Sequence, residues 1–317
     1  MKPFVIIPIV IGAALLVAGG TIFGLAAYKA SQNSTIETKE YSATELGEFN
    51  KFDIDLTIAD LEFKTADAVK VVVDETKYDV HTVEVSDNTL TVKGKDTRKW
   101  YEHIFNWNWF DRVKVTVYMP AGAYDNLKVR TATGNVTIPS DYTFASFNVD
   151  VDTGNIKNNA KVTEDIKAKT STGNIVMDGV EAKNMELKTS TGDVKMKNIT
   201  LSGDFKAETS TGDYEIENMT CQNYTSKAST GHVEFKNVIV SDHIEIKNGT
   251  GHVRIIDSDA NTLYVKTSTG SVNLTLLTNK IFAATSNTGR VNVPVSTTGG
   301  LCQIETSTGG ITATIKA

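Results

Sequence analysis

The residues that could do chemistry recur as one unit, seen most cleanly as Thr189-Ser190-Thr191-Gly192-Asp193-Val194. Hydroxyls beside a glycine turn are what a nucleophile motif would offer. The unit, however, returns ten times, at Gly134, Gly154, Gly173, Gly192, Gly212, Gly231, Gly251, Gly270, Gly289 and Gly309, always 19 or 20 residues apart and always after Thr. A catalytic motif rarely needs ten copies, whereas a stacked corner does. No Gly-x-Ser-x-Gly elbow, phosphate loop or dinucleotide fingerprint accompanies it.

Histidine offers the next candidates. His232 and His252 both follow a repeat glycine, in successive copies, with Asp193 and Asp213 in the same column. Stacked at about 4.8 Å, two imidazoles could share a metal ion. The same position elsewhere holds Asn, Ser, Arg or Gly, which is how a solvent-facing turn behaves, so no metal and no cofactor is expected. Acids and lysines on one side of a coil could also serve a polysaccharide-active enzyme. Here they are spread over many copies without local concentration, and no enzyme is expected.

The elements that carry these residues follow from the period. A 19–20-residue repeat means a solenoid. Around Gly212, Phe205, Ala207 and Thr209 precede and Tyr214 and Ile216 follow at alternating positions, so their side chains share one face. A second apolar pair closes each copy, for example Ile199 and Leu201, or Val238 and Val240. Burying a Val, Leu or Ile contributes about 1.5–3 kcal/mol, so four or five inward residues offset the ordering of one coil only when neighbours stack on it. Nine spacings at about 4.8 Å make a rod of roughly 43 Å. Glycine suits a corner that needs φ > 0 or has no room for a side chain. The neighbouring threonines are expected to form a ladder. The fold class is all-β: a β-solenoid of about ten rungs with an N-terminal β cap, preceded by one transmembrane helix.

Residues 4–28 carry no charge and make about 37 Å of helix, enough to cross a hydrocarbon core of about 30 Å. They read as a signal anchor that follows a short tail, 1–3, and leaves the C-terminal bulk outside the cell; the alternative is a cleavable signal peptide, against which the length of the apolar run speaks. Residues 29–48, rich in Ser, Thr and Glu, read as a flexible stalk. Alternating segments within 49–120 read as the β cap, which hides the first open face of the solenoid at 121–317. Inside the cap an insert at 98–111 breaks the alternation with Trp100, Tyr101, Phe105, Trp107, Trp109 and Phe110. These rings either cover the first rung or present a surface for a protein, a glycan or the membrane interface.

With 32 basic and 38 acidic side chains the net charge is −6, which argues against nucleic acid. The two cysteines, Cys221 and Cys302, lie in repeats four rungs apart by sequence count, about 19 Å, too far for a disulfide. Two buried free thiols are expected. The final segment Ile311–Ala317 reads as an uncapped edge strand that invites self-association at the C-terminal end.

From Phe52 onward the chain resembles the putative-adhesin β-solenoid family of bacterial cell-envelope proteins. The resemblance rests on the passage Val113-Lys114-Val115-Thr116-Val117-Tyr118-Met119-Pro120, the step Leu127-Lys128-Val129 into Thr133-Gly134-Asn135-Val136, and the repeated Thr-Gly-x-Val/Ile. It implies an extracytoplasmic surface domain acting in adhesion or scaffolding, and in some relatives a link to envelope stress responses. An accessory regulator that contacts a membrane sensor is therefore the alternative function. The Trp-rich insert departs from the family pattern.

Overall fold

The structure is a computed structural model that describes residues 36–99 and 113–316. The proposed anchor at 4–28 and the aromatic residues Trp100, Tyr101, Phe105, Trp107, Trp109 and Phe110 lie outside the described residues. Among the described residues no helix is long and apolar enough to cross a membrane.

The alternation read from the sequence becomes strands whose odd positions are buried. In Phe205–Thr211, Phe205, Ala207 and Thr209 are buried while Lys206 and Ser210 face out. The strands pair in parallel, each residue on its counterpart in the next turn. One inward column runs Met185, Phe205, Tyr224, Ile244, Leu263, Cys302 without a slip. This is a β-solenoid of about ten turns. Its core is one continuous file of Val, Ile, Leu, Met, Phe and Tyr side chains from Leu46 to Ala313.

The order of turns departs from the order of the chain at both ends. Near the N-terminus Lys51–Thr65 is itself a turn of the coil and lies inside it. It pairs on one side with Thr89–Asp96 and Val113–Met119, and on the other with Gly122–Thr133 and Val136–Ile138. The outer turn is then closed by antiparallel strands: Asp79–Ser86 on Thr89–Asp96, Lys70–Glu75 on Val113–Met119, and Glu37–Ser42 on Lys70–Glu75. The 29–48 stalk is thus corrected in part, because Glu37–Ser42 is a paired strand and Ala43–Leu46 a short helix that buries Leu46.

At the C-terminus the last turn, Gly300–Thr308 with Ile311–Ile315, is threaded between Thr262–Thr269 with Val272–Leu276 and the preceding turn, Lys280–Thr288 with Val291–Asn292. Two expectations change. The final strand is not the edge; Lys280–Thr288 and Val291–Asn292 are. Cys221 and Cys302 belong to turns three steps apart rather than four, since Gly309 follows Gly270 directly in the stack. Both thiols are free and buried, and burial pushes each up to about 12.

Candidate functional site

The Thr-Gly unit is a corner, and its geometry explains each residue type. Nine of the ten glycines have φ between 143° and 153°; Gly289, in the outermost turn, is the exception. A Cβ on Gly212 would lie 1.9 Å from the carbonyl oxygen of Gly192, and the same contact repeats along the column. The corners stack backbone on backbone, so a side chain has no space there. With its carbonyl pointing along the stack, a corner glycine can accept from a buried hydroxyl three residues before the next glycine in the stack, and several do. Thr170 Oγ1 donates to Gly154 O (2.9 Å), Thr189 to Gly173 (3.1 Å), Thr267 to Gly251 (3.2 Å) and Thr306 to Gly270 (3.1 Å). The expected threonine ladder is therefore a hydroxyl-to-carbonyl ladder made by the inner threonine. The threonine next to each glycine is mostly exposed and contributes its carbonyl, as when Gly192 N–H donates to Thr211 O (2.9 Å). These hydroxyls are consumed by structure.

The column after the glycine is a second ladder. The backbone N–H of each member donates to the side chain below it: Asn135 to Asp60 Oδ1 (2.6 Å), Asn155 to Asn135 Oδ1 (2.9 Å), Asn174 to Asn155 Oδ1 (2.8 Å), Asp193 to Asn174 Oδ1 (2.8 Å), Asp213 to Asp193 Oδ1 (3.0 Å) and His232 to Asp213 Oδ1 (2.6 Å). His252 N–H then donates to His232 Nδ1 (3.0 Å), and Ser271 N–H to His252 Nδ1 (2.9 Å). Asn, Asp and His interchange because each carries an acceptor one bond beyond Cγ. The two imidazoles lie parallel, with centroids 5.2 Å apart and 5° between planes. With Nδ1 accepting, each is the tautomer protonated on Nε2 and has no lone pair left for a metal. Their role is that of the asparagines beneath them. The column faces solvent, as the sequence suggested, and acceptor geometry adds why Asn, Asp and His recur in it from Asn135 to His252.

A third ladder turns the next corner. Asn198, Asn218 and Asn237 sit at φ 54°, 56° and 56°, and their carboxamides link upward from Asp178 at 3.1, 3.0 and 2.9 Å. Asn tolerates this left-handed conformation better than most residues. These ladders fix the outward side chains at one-turn spacing.

Two outer sides result. One bears the cross-turn ion pairs Lys195–Glu215 (2.9 Å), Lys197–Glu217 (3.5 Å) and Lys236–Glu217 (2.9 Å). The other carries a column Lys169, Lys188, Glu208, Lys227, Lys247, Lys266, Glu305, with exposed serines Ser190, Ser210, Ser229 and Ser268 beside it. An open groove of about 470 Å³ runs along that second side. Sequence reading did not single out this column, because lysines 19 or 20 residues apart look like ordinary solvated charge until the register aligns them.

Two further polar clusters were not anticipated. In the N-terminal cap, Glu75 Oε1 accepts the His81 backbone N–H at 2.7 Å and Glu75 Oε2 meets Lys39 Nζ at 2.6 Å. Burial holds the His81 imidazole below its ordinary value, against the pull of the Glu75 and Asp79 carboxylates. Burial likewise holds Asp79 above the usual carboxylate range, opposed by Arg98. At the C-terminal end the buried Lys280 Nζ reaches Asp259 Oδ1 at 2.7 Å. It passes Gly300, which faces Lys280 in register and where a Cβ would lie 1.7 Å from Asn261 O.

Comparison with known proteins agrees with this architecture. The family model Toastrack DUF4097 matches residues 49–213 and again 202–317. A solved structure from Parabacteroides merdae, named a putative adhesin, is similar with TM-score 0.50 and 11% identity, over 89% of this chain and 97% of that one. Structures named putative adhesins from Parabacteroides distasonis (TM-score 0.49, 14% identity, 88% and 97% covered) and Bacteroides fragilis (0.43, 15%, 89% and 98%) are also similar. No curated protein matches the chain.

Proposed function

This chain belongs to the Toastrack DUF4097 family, and from that premise we propose that it is a non-enzymatic, extracytoplasmic rod acting in surface adhesion or scaffolding, held at the cell membrane by its N-terminal apolar segment. The observation that carries the reading is the set of side-chain ladders that hold the corners. They lock backbone and acceptor groups turn upon turn, so that outward side chains repeat on a stiff support. Pre-organised repetition of this kind suits an extended, multipoint contact. The name of the Parabacteroides merdae neighbour points the same way. In this reading the inner hydroxyls and the histidines maintain the rod, and ligands are met by the outer sides, by the ends or by the Trp-rich insert.

The test uses the full-length chain on intact cells. Protease added outside is expected to remove the solenoid, and cells that display the chain are expected to attach to matrix- or glycan-coated surfaces better than cells without it. A protected solenoid would overturn the topology. Crosslinking to a membrane sensor without any external attachment would replace adhesion by regulation. Release of reducing ends from polysaccharides by the purified chain would overturn the non-enzymatic reading.

A further inference from the structure

Along the second outer side, acid and base alternate imperfectly. Lys227, Lys247 and Lys266 stand in three consecutive turns, with no carboxylate between them in the column. Lys247 is paired with Glu245 on its own strand and Lys266 with Glu305 of the next turn, at 3.1 Å. Among the described residues Lys227 is in no ion pair. Glu208, the acid within the groove, is engaged by Lys188 at 3.3 Å.

The repeat breaks at the same place. Where the neighbouring turns on either side carry an inner Thr followed by Ser, Thr209-Ser210 and Thr267-Ser268, these two turns carry Ala228, Asn248 and Gly249, and all three line the groove; away from the groove the pattern also changes, at Thr131-Ala132, Val151-Asp152 and Ser286-Asn287. The Asn248 carboxamide does the threonine's work, donating from Nδ2 to Gly231 O at 2.8 Å. It then holds something the hydrogen-bonded threonines of the ladder do not, because Asn248 is 5% exposed and its Oδ1 has no hydrogen-bond partner among the described residues. A buried acceptor without a donor costs about 1–3 kcal/mol, so the repeat's own residue would be the stabler choice for structure alone.

We propose that this groove binds an acidic polysaccharide laid along the rod. The lysines, about 4.8 Å apart from turn to turn, meet carboxylates on successive sugars; the serines and Asn248 Oδ1 exchange hydrogen bonds with the sugar hydroxyls. Hydroxyl donors are what separates this ligand from a simple polyanion. The assignment deepens the adhesion reading by naming a ligand class for it.

Polygalacturonate is the probe, titrated into the full-length chain, with neutral dextran and inorganic polyphosphate alongside. Polygalacturonate is expected to bind with a log–log salt slope of about −2, as three neutralised charges give, and dextran not to bind. The pair Lys227→Glu with Lys247→Glu is expected to weaken binding at least ten-fold, whereas Lys195→Glu with Lys236→Glu, on the other outer side, leaves it unchanged. Asn248→Thr restores the repeat, so thermal unfolding is expected to hold or rise while polygalacturonate affinity falls several-fold. Absence of polygalacturonate binding, binding indifferent to the Lys227 and Lys247 changes, or equal binding of polyphosphate with no effect of Asn248→Thr would each overturn the proposal. If it fails while cells displaying the chain still attach to surfaces, the adhesion reading stands without this groove. If wild-type cells fail to attach while the purified chain binds polygalacturonate, the groove stands without adhesion.

Discussion

The two ends of the rod solve one problem differently. Both keep the terminal turn of the coil inside the stack and push a neighbouring turn outward. At the N-terminal end the outward turn is then covered: antiparallel strands close its edges, and Phe52 is ringed by Phe49, Phe63, Tyr124 and Phe144 at centroid distances of 5.5–5.9 Å. At the C-terminal end the outward turn stays bare. Ile281 and Val291 of that turn are exposed, as are Val295 in the loop after it and Leu301 of the threaded turn, and one buried ion pair, Lys280–Asp259, ties the outward turn back across Gly300. An edge of paired strands over an aromatic core should open last, and an edge held by a single turn and one ion pair should open first.

The largest effect is expected from Gly300→Val. Its Cβ would meet Asn261 O at 1.7 Å, so the last turn cannot seat against Thr262–Thr269. A loss of at least about 3 kcal/mol is expected, with hydrogen-exchange protection lost over 262–316 and kept over 51–138. Loss spread evenly along the rod would mean that the ends are not separate units.

Next is Phe52→Ala, which removes the ring at the centre of the N-terminal aromatic group. A cost of about 3 kcal/mol is expected by thermal unfolding, with protection lost first at that end. Lys280→Met should follow at about 2 kcal/mol, because it leaves Asp259 without its cation in a site where Asp259 keeps some exposure.

The two cysteines then report the difference in an unmodified chain. At neutral pH both thiols are expected to resist labelling in the native state, since burial pushes each up to about 12. In sub-denaturing urea Cys302, in the threaded last turn, should be modified before Cys221 in mid-rod; the reverse order would contradict a weak C-terminal end.

The smallest effect concerns acid. Burial keeps His81 neutral below the ordinary imidazole value of 6.5, so the unfolded chain takes up the proton more readily than the folded one. Stability from neutral His81 is therefore fully present above about 6.5 and is lost as the pH falls below it. Asp79 acts with the opposite sign: its raised value means that the cost of burying its charge is relieved as the pH falls towards 3.8, below the window in which His81 acts first. The melting temperature of the cap is expected to drop on going from pH 7 to 5, and His81→Gln to flatten that slope. An unchanged slope in the variant would assign the acid response elsewhere.

The solenoid was legible because its signal is local and repeated. Phe205, Ala207 and Thr209 alternate, glycines return at a fixed period, and parallel stacking follows from inward faces that one turn cannot bury alone. The turn order at the ends was not legible, since Ile311–Ile315 has the same apolar pattern whichever neighbour it pairs with. The ladder in the histidine column was hidden for a related reason: hydrogen-bond acceptance by Asn, Asp and His at one site shows only once the next turn's N–H is in place. The lysine column stayed hidden because no residue in it is unusual by itself.

By itself the sequence determined the repeat, the inward and outward faces and the glycine corner, because alternation and φ > 0 are properties of a few adjacent residues. Only the tertiary structure decided which turn lies against which, and therefore which edge is bare, which lysines align beside Asn248 and which polar side chains serve the backbone. Those outcomes depend on contacts between residues 19 or more positions apart, and similar turns compete for the same neighbour on nearly equal terms.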